Sequence, residues 1–124
     1  MNEYFFDTYA IVEINKGSPN YIKYKEAKFV TTLLNLMEFY NVLLKKFDAE
    51  KSSNEFDFYL SGCVELNPSI IKEAVEFRAE FNNKNNFRIS YVDAIGYIIS
   101  LRLNIKFLTG DEAFKNLENV EFVK

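Results

Sequence analysis

The sequence predicts an α/β fold: a three-layer α/β/α sandwich around a central, mainly parallel sheet. Three observations predict it. Short strand-like runs alternate with helical stretches along the chain, the pattern of a parallel sheet covered on both faces. The run EYFF (3–6) is apolar rather than alternating, as a strand buried on both sides is. No linker, repeat or low-complexity tract divides the 124 residues, so 1–124 reads as one domain.

Each element follows from its local string. EYFF is the first strand, and TYAIVEIN (8–15) is a helix with Ala10, Ile11 and Ile14 at helical spacing. KGSPN (16–20) breaks it, and YIKYKEA (21–27) reads as a second short helix. KFVTT (28–32) is β-branched and brief, a strand. A long helix follows, in which Leu33, Leu36, Met37, Tyr40, Leu43, Leu44 and Phe47 form one stripe. SSNEFDFYLSG (52–62) is a helix closed by Gly62, and CVEL (63–66) a strand. NPSIIKEAVEFRAEFNN (67–83) is a helix with Pro68 in its first turn and an inner face of Ile70, Ile71, Ala74, Phe77 and Phe81. NKNN (83–86) is a loop. Ser90 opens the next helix, which ends near Asn104. IKFLTG (105–110) is a strand, DEAFKNL (111–117) a helical turn and VEFV (120–123) the last strand.

Composition excludes several chemistries. Without histidine there is no Ser-His-Asp triad and no His-based general base. Cys63 is alone, which rules out an internal disulfide, fits a reducing cytoplasm, and makes a poor nucleophile with no His beside it. Neither GxxxxGK[ST] nor GxGxxG occurs, so the common phosphate loops are missing. The start MNEYFFDTYAIVEIN has early acids and no basic region, so it reads as a first strand and not a secretory leader. No stretch reaches the roughly 18 apolar residues of a membrane span. Any catalysis must use carboxylates, Lys, Tyr or a metal. The net charge of −3 argues against a nucleic-acid binder read by global charge. Neutralising four acids would leave the rest at +1, however, so a phosphate-rich substrate fits.

Four acids stand out by position. Asp7 directly follows EYFF and Asp111 follows KFLTG, both at carboxyl ends of strands, where α/β sheets bind ligands. Asp93 sits in the otherwise uncharged run ISYVDAIGYIIS, with Arg88 and Arg102 outside it. Glu38 lies in the long helix after KFVTT. Each also has a structural reading. Asp7 and Asp111 suit helix N-caps, Glu38 an exposed helix face, and Ser90-x-x-Asp93 a capping box with Asp in place of Glu. If all four meet, each pair about 4 Å apart repels by roughly 4 kcal/mol at an effective dielectric of about 20. Protonation or a divalent cation must relieve that. Oxygen-only ligands favour Mg²⁺ or Mn²⁺.

The strings carrying these acids resemble the PIN domain, a metal-dependent ribonuclease family that includes the VapC-type toxins. YFFDTYAIVEI resembles its opening strand, Asp-Thr or Asp-Ser, and helix; TTLLNLMEFYNVL its second motif. ISYVDAIGYIISLRLNIKFLTGDEAF resembles the third and fourth, with a Ser three places before Asp and a strand ending in Thr-x-Asp. LENVEFV fits the last strand. By that resemblance Asp7, Glu38, Asp93 and Asp111 match the acidic quartet holding one or two Mg²⁺ or Mn²⁺ ions, and Thr8, Ser90 and Thr109 match the polar positions supporting them. Asn35 and Met37 are bulkier than is common in the second motif. The resemblance implies single-strand RNA cleavage, a homodimer, and a small antitoxin partner that blocks the site. Phosphate contacts would come from among Lys16, Lys23, Lys25, Lys28, Lys45, Lys46, Arg78, Arg88 and Arg102. Arg88 or Arg102 is alternatively a counter-charge for the acids. Three other readings stand beside the toxin: a stand-alone PIN nuclease of RNA processing, a non-catalytic module binding a basic partner, and a Mg²⁺-dependent phosphatase suggested by FFDTYA. The last lacks the second Asp of a DxDxT nucleophile motif.

Overall fold

In the computed structural model, which describes residues 2–124, the chain forms a four-stranded, all-parallel sheet between two helical layers. The strands are β1 (Glu3–Phe6), β2 (Lys28–Val30), β3 (Lys106–Thr109) and β4 (Val120–Phe122), in spatial order β2-β1-β3-β4. Register pairs Phe5 with Val30 on one side and Phe6 with Leu108 on the other. The helices are α1 (Thr8–Lys16), α2 (Leu33–Leu44), α3 (Ala49–Phe58), α4 (Pro68–Lys84) and α5 (Tyr91–Leu103).

Alternation along the strands builds two cores. Phe5 and Phe107 stack 5.6 Å apart on one face, beneath α4 and α5. Phe6 and Leu108 point to the other, among α1, α2 and α3, with Phe6 stacked on Phe29 at 4.8 Å. Ala94, Ile95, Ile98 and Ile99 are all buried, and burying each Ile contributes about 1.5–3 kcal/mol. That area presses α5 onto the sheet. Gly96 makes the approach close enough, because a Cβ there would run into the Phe5 ring.

Four expectations change. YIKYKEA is a 3₁₀ helix spanning Pro19–Tyr24, started one turn earlier by Pro19. CVEL is not a strand; its order is one bridge between Thr31 and Cys63, because Thr31 already follows the end of β2. The third helix starts at Ala49, since Asp48 caps it by accepting from the Lys51 N–H, and ends at Phe58 before a 3₁₀ turn. The long helix stops at Leu44, before Phe47, and its apolar stripe is divided: Leu36 and Leu43 are buried with Asn35 and Phe39, whereas Leu33, Met37 and Leu44 face outward. The inner face of α4 matches its prediction. No helix among the described residues is long and apolar enough to cross a membrane.

Gly96→Ala is expected to destabilise the fold by about 1–3 kcal/mol, the usual cost of overpacking, seen as a lower urea midpoint at unchanged m-value. An unchanged midpoint would show that α5 is not held at its closest approach there.

Candidate active site

The strand order places a topological switch at the carboxyl ends of β1 and β3. From β1 the chain crosses to β2 on one side and later returns to β3 on the other. Connections that diverge this way leave a crevice at the strand ends, where open α/β sheets bind ligands. Asp7 and Asp111 stand there, one residue past Phe6 and two past Thr109.

Asp7 is 3% exposed. Its backbone is pinned by the N–H bond to the Leu108 carbonyl, and its Oδ2 accepts from the Thr109 hydroxyl at 2.7 Å. Asp7 occupies the N-cap position of α1, yet its side chain makes no capping bond. The carboxylate lies instead close enough to Asp93 and Asp111 to feel their charges, and its Oδ1 is buried without a hydrogen-bond partner. Burial pushes its pKa up to about 8, and the charges of Asp93 and Asp111 push the same way against the Thr109 hydroxyl and the Thr8 N–H. Desolvation wins because removing an ion from water costs several kcal/mol. A helix N-terminus returns only about 0.3–1 kcal/mol.

Asp93 serves two purposes. Its Oδ2 accepts from the Ser90 N–H at 2.9 Å while the Ser90 hydroxyl accepts from the Asp93 N–H at 3.0 Å, a complete capping box. Its pKa is also raised, first by burial and then by Asp111 and Glu38, against the Ser90 hydrogen bonds. The capping and site readings are therefore one arrangement. Asp111 likewise caps a short 3₁₀ turn by accepting from the Ala113 N–H at 3.0 Å, and its own N–H donates to the Thr109 hydroxyl. Gly110 allows this turn to close, since a Cβ there would meet the Tyr9 ring and the Val123 carbonyl.

Glu38 is reached through a relay whose middle the sequence did not reveal. The Thr8 hydroxyl donates to Glu38 Oε1 at 2.6 Å. The fully buried Asn35 donates to Thr8 at 3.0 Å and accepts from the Thr32 hydroxyl at 2.6 Å. Thr32 in turn caps α2 through the Asn35 N–H. Asn35, a mere departure in bulk at the sequence level, thus ties α1 to α2 and orients Glu38. The available signal was Thr32 followed three residues later by Asn, a local capping pattern at the start of a helix.

Thr8, Ser90 and Thr109 therefore each touch one of the four acids. No cation does: among the described residues, Lys and Arg pair only with Glu13, Glu80, Glu73 and Glu112. Arg102 is committed to Glu73 and Ser69, clamping α5 to α4, and Arg88 donates to the Asn82 carbonyl. Neither neutralises the acids, which corrects that expectation. Among the described residues no three acidic, His or Cys side chains already converge at coordinating spacing. Bare carboxylates repel, and the hydrogen bonds from Thr8, Ser90 and Ala113 hold three of them back. What remains is an all-oxygen donor set around one open buried oxygen, which fits Mg²⁺ or Mn²⁺. Burial also pushes the Cys63 thiol up, so it is no nucleophile.

A parallel α/β sheet with an acidic crevice at its switch point defines a class of carboxylate-based α/β domains. Within that class the chain belongs to the PIN domain family, whose profile matches residues 4–120. No curated protein sequence matches it. Among solved structures it is similar to a toxin–antitoxin complex from Klebsiella pneumoniae, with a TM-score of 0.75, 16% identity and 95% of each chain covered. It is also similar to VapC20 of Mycobacterium tuberculosis, a Sarcin-Ricin loop cleaving toxin (TM-score 0.73, 18% identity, 98% of this chain and 99% of that one). A third is VapBC2 from Rickettsia felis bound to a promoter DNA fragment (0.70, 20%, 98% and 97%). At these identities the likeness shows the fold.

Two predictions follow from the burial of the site. Between the ordinary carboxylate pKa of 3.8 and about 8, the folded chain holds a proton on Asp7 that the unfolded chain has released. Metal-free stability is therefore greatest at low pH and falls as pH rises towards 8. In EDTA, the melting temperature of the parent should fall between pH 5 and 8.5 by at least about 4 °C more than that of Asp7→Asn, equal to roughly 1 kcal/mol. Parallel curves would contradict it. Asn35→Leu should cost about 1–3 kcal/mol in urea unfolding by stranding the buried Thr32 hydroxyl.

Proposed function

We propose that the chain is a divalent-metal-dependent endoribonuclease and the toxin of a type II toxin–antitoxin pair. The observation that carries this reading is the set of four acids at the switch point, without a cation partner among the described residues, centred on the unpartnered Oδ1 of Asp7. Asp7, Glu38, Asp93 and Asp111 would hold Mg²⁺ or Mn²⁺, with Thr8, Ser90 and Thr109 orienting them. Such an ion supplies positive charge in the crevice and acidifies water for attack on a phosphodiester. The chain's own residues prepare for it. Thr109 holds one oxygen of Asp7 so that the other faces the crevice, and the Ser90 box fixes the backbone that carries Asp93. The Thr8–Asn35–Thr32 relay keeps Glu38 from swinging to solvent.

The toxin reading draws on the similar toxin–antitoxin structures, on the PIN family, and on the outward apolar face of α2. Leu33, Met37 and Leu44 are each about half exposed there, beside Glu38. Exposed apolar side chains spaced along one side of a helix can seat a partner protein. An antitoxin seated on it would also cover the crevice. The chain would act in the cytoplasm as a homodimer. A stand-alone PIN nuclease shares the chemistry and lacks only the inhibitor.

RNA cleavage should stop in EDTA and return with Mg²⁺ or Mn²⁺; full activity in EDTA would refute the metal role. Asp7→Asn and Asp93→Asn should each lose at least about 100-fold in cleavage while remaining folded by circular dichroism. Because cation and proton compete for Asp7, saturating Mg²⁺ should raise the melting temperature more at pH 8 than at pH 5. Equal gains at both would place the ion elsewhere.

A further inference from the structure

A polar cavity of about 380 Å³ is bounded by the end of α4, the loop after it and the turn that follows Asp111. We infer that this cavity is a ribonucleotide subsite that holds and reads a base next to the scissile phosphate. The inference rests on the nuclease reading above.

Three observations carry it. The first is placement. Glu112 and Ala113, which line the cavity, directly follow Asp111, and Phe87 lies three residues before Ser90, whose box fixes Asp93. The two segments that deliver Asp93 and Asp111 are thus two walls of the cavity, so a strand whose phosphate sits among the acids lays its neighbouring nucleotide against it. The second is the ring. Phe87 is 53% exposed, and a base has a π-face that any exposed ring can stack on. The other large exposed rings are less suited. The Arg78 guanidinium already lies over Tyr91, 4.0 Å from its centroid, and Phe58 sits on α3 against the edge of Tyr59, in the opposite layer. The third is the polar lining. Asn86 and Asn116 present side-chain amides, which donate and accept at once as base edges do. Glu112 is held by Lys124 at 3.4 Å and accepts only, matching an exocyclic amine. Lys84, on the rim and paired with exposed Glu80, can trade that partner for a backbone phosphate. The volume falls in the range of sites that enclose small ligands.

The roles separate in kinetics. Stacking on Phe87 is indifferent to sequence, so Phe87→Ala should raise KM for single-stranded RNA about tenfold for every sequence, with kcat within about twofold; Phe87→Tyr should restore the parent value. Asn116→Ala should flatten the base preference at one position flanking the cut, read by sequencing the products of a randomised RNA. In the cleavage-deficient Asp93→Asn background, binding of a fluorescent single-stranded RNA should show the same tenfold loss in affinity when Phe87→Ala is added. Parent KM and parent base preference in both variants would overturn the subsite while leaving the nuclease standing. A parent that cuts no RNA in Mg²⁺ or Mn²⁺ would instead overturn the nuclease reading itself. Unchanged RNA binding with loss of self-association in Phe87→Ala would assign the ring to a contact between copies, and would also overturn the subsite.

Discussion

Everything in this fold is arranged around one carboxylate that burial keeps from ionising. Asp7 is placed by the parallel β1–β3 pair, whose last bond joins its N–H to the Leu108 carbonyl. Strand pairing fixes where the Cα lies, and the 3% exposure follows from the helices that cover both faces. The side chain then receives one hydroxyl bond, on Oδ2, and its Oδ1 has no hydrogen-bond partner. A protein core satisfies nearly all its buried polar atoms. The neighbouring relay obeys that rule: Thr32, Asn35, Thr8 and Glu38 form a closed chain of hydrogen bonds. Among the described residues Asp7 Oδ1 and Ser52 Oγ are the buried side-chain polar atoms left without a partner, and of the two only Asp7 can carry a charge.

The rest of the architecture sets the charge around Asp7. Gly96 lets α5 come close enough that Asp93 adds its charge to Asp7, and the buried isoleucines of α5 hold it there. Gly110 lets the chain leave β3 in a turn tight enough to present Asp111. Each of the four acids is restrained by a hydrogen bond of its own, which limits both collapse inward and swinging out. The relay and the capping box supply order. The acids supply charge that this order prevents from dispersing.

How much of this was legible before the structure depends on which physical rule wrote it. The α/β/α layering and the inner face of α4 follow from periodicity and burial, and were readable. The four acids were readable as strings, because strand ends and helix starts have local signatures. The divided face of α2 was not. Leu33, Met37 and Leu44 have the same hydrophobicity as Leu36 and Leu43, and only tertiary docking chooses between them. CVEL failed for a related reason: it has strand composition, but β2 is only three residues long and offers it a single bridge. The role of Asn35 has no counterpart in the sequence, since a bridge to Thr8 across 27 residues carries no sequence signature.

The alternative explanations of the acids are also decided by geometry rather than by type. Had Asp7 been a helix cap, its side chain would hold a capping hydrogen bond at the start of α1; it holds none, and the Thr8 N–H eases its charge too little to outweigh burial. Had Arg88 or Arg102 been the counter-charge, one guanidinium would reach the crevice, but both are engaged elsewhere. With capping and internal pairing removed, protonation and an external cation are the two ways left to satisfy Asp7. Protonation already dominates below about pH 8, which makes the metal-free crevice close to neutral at its centre. The divalent cation of the proposed function would have to displace that proton to bind Asp7, which ties its affinity to pH.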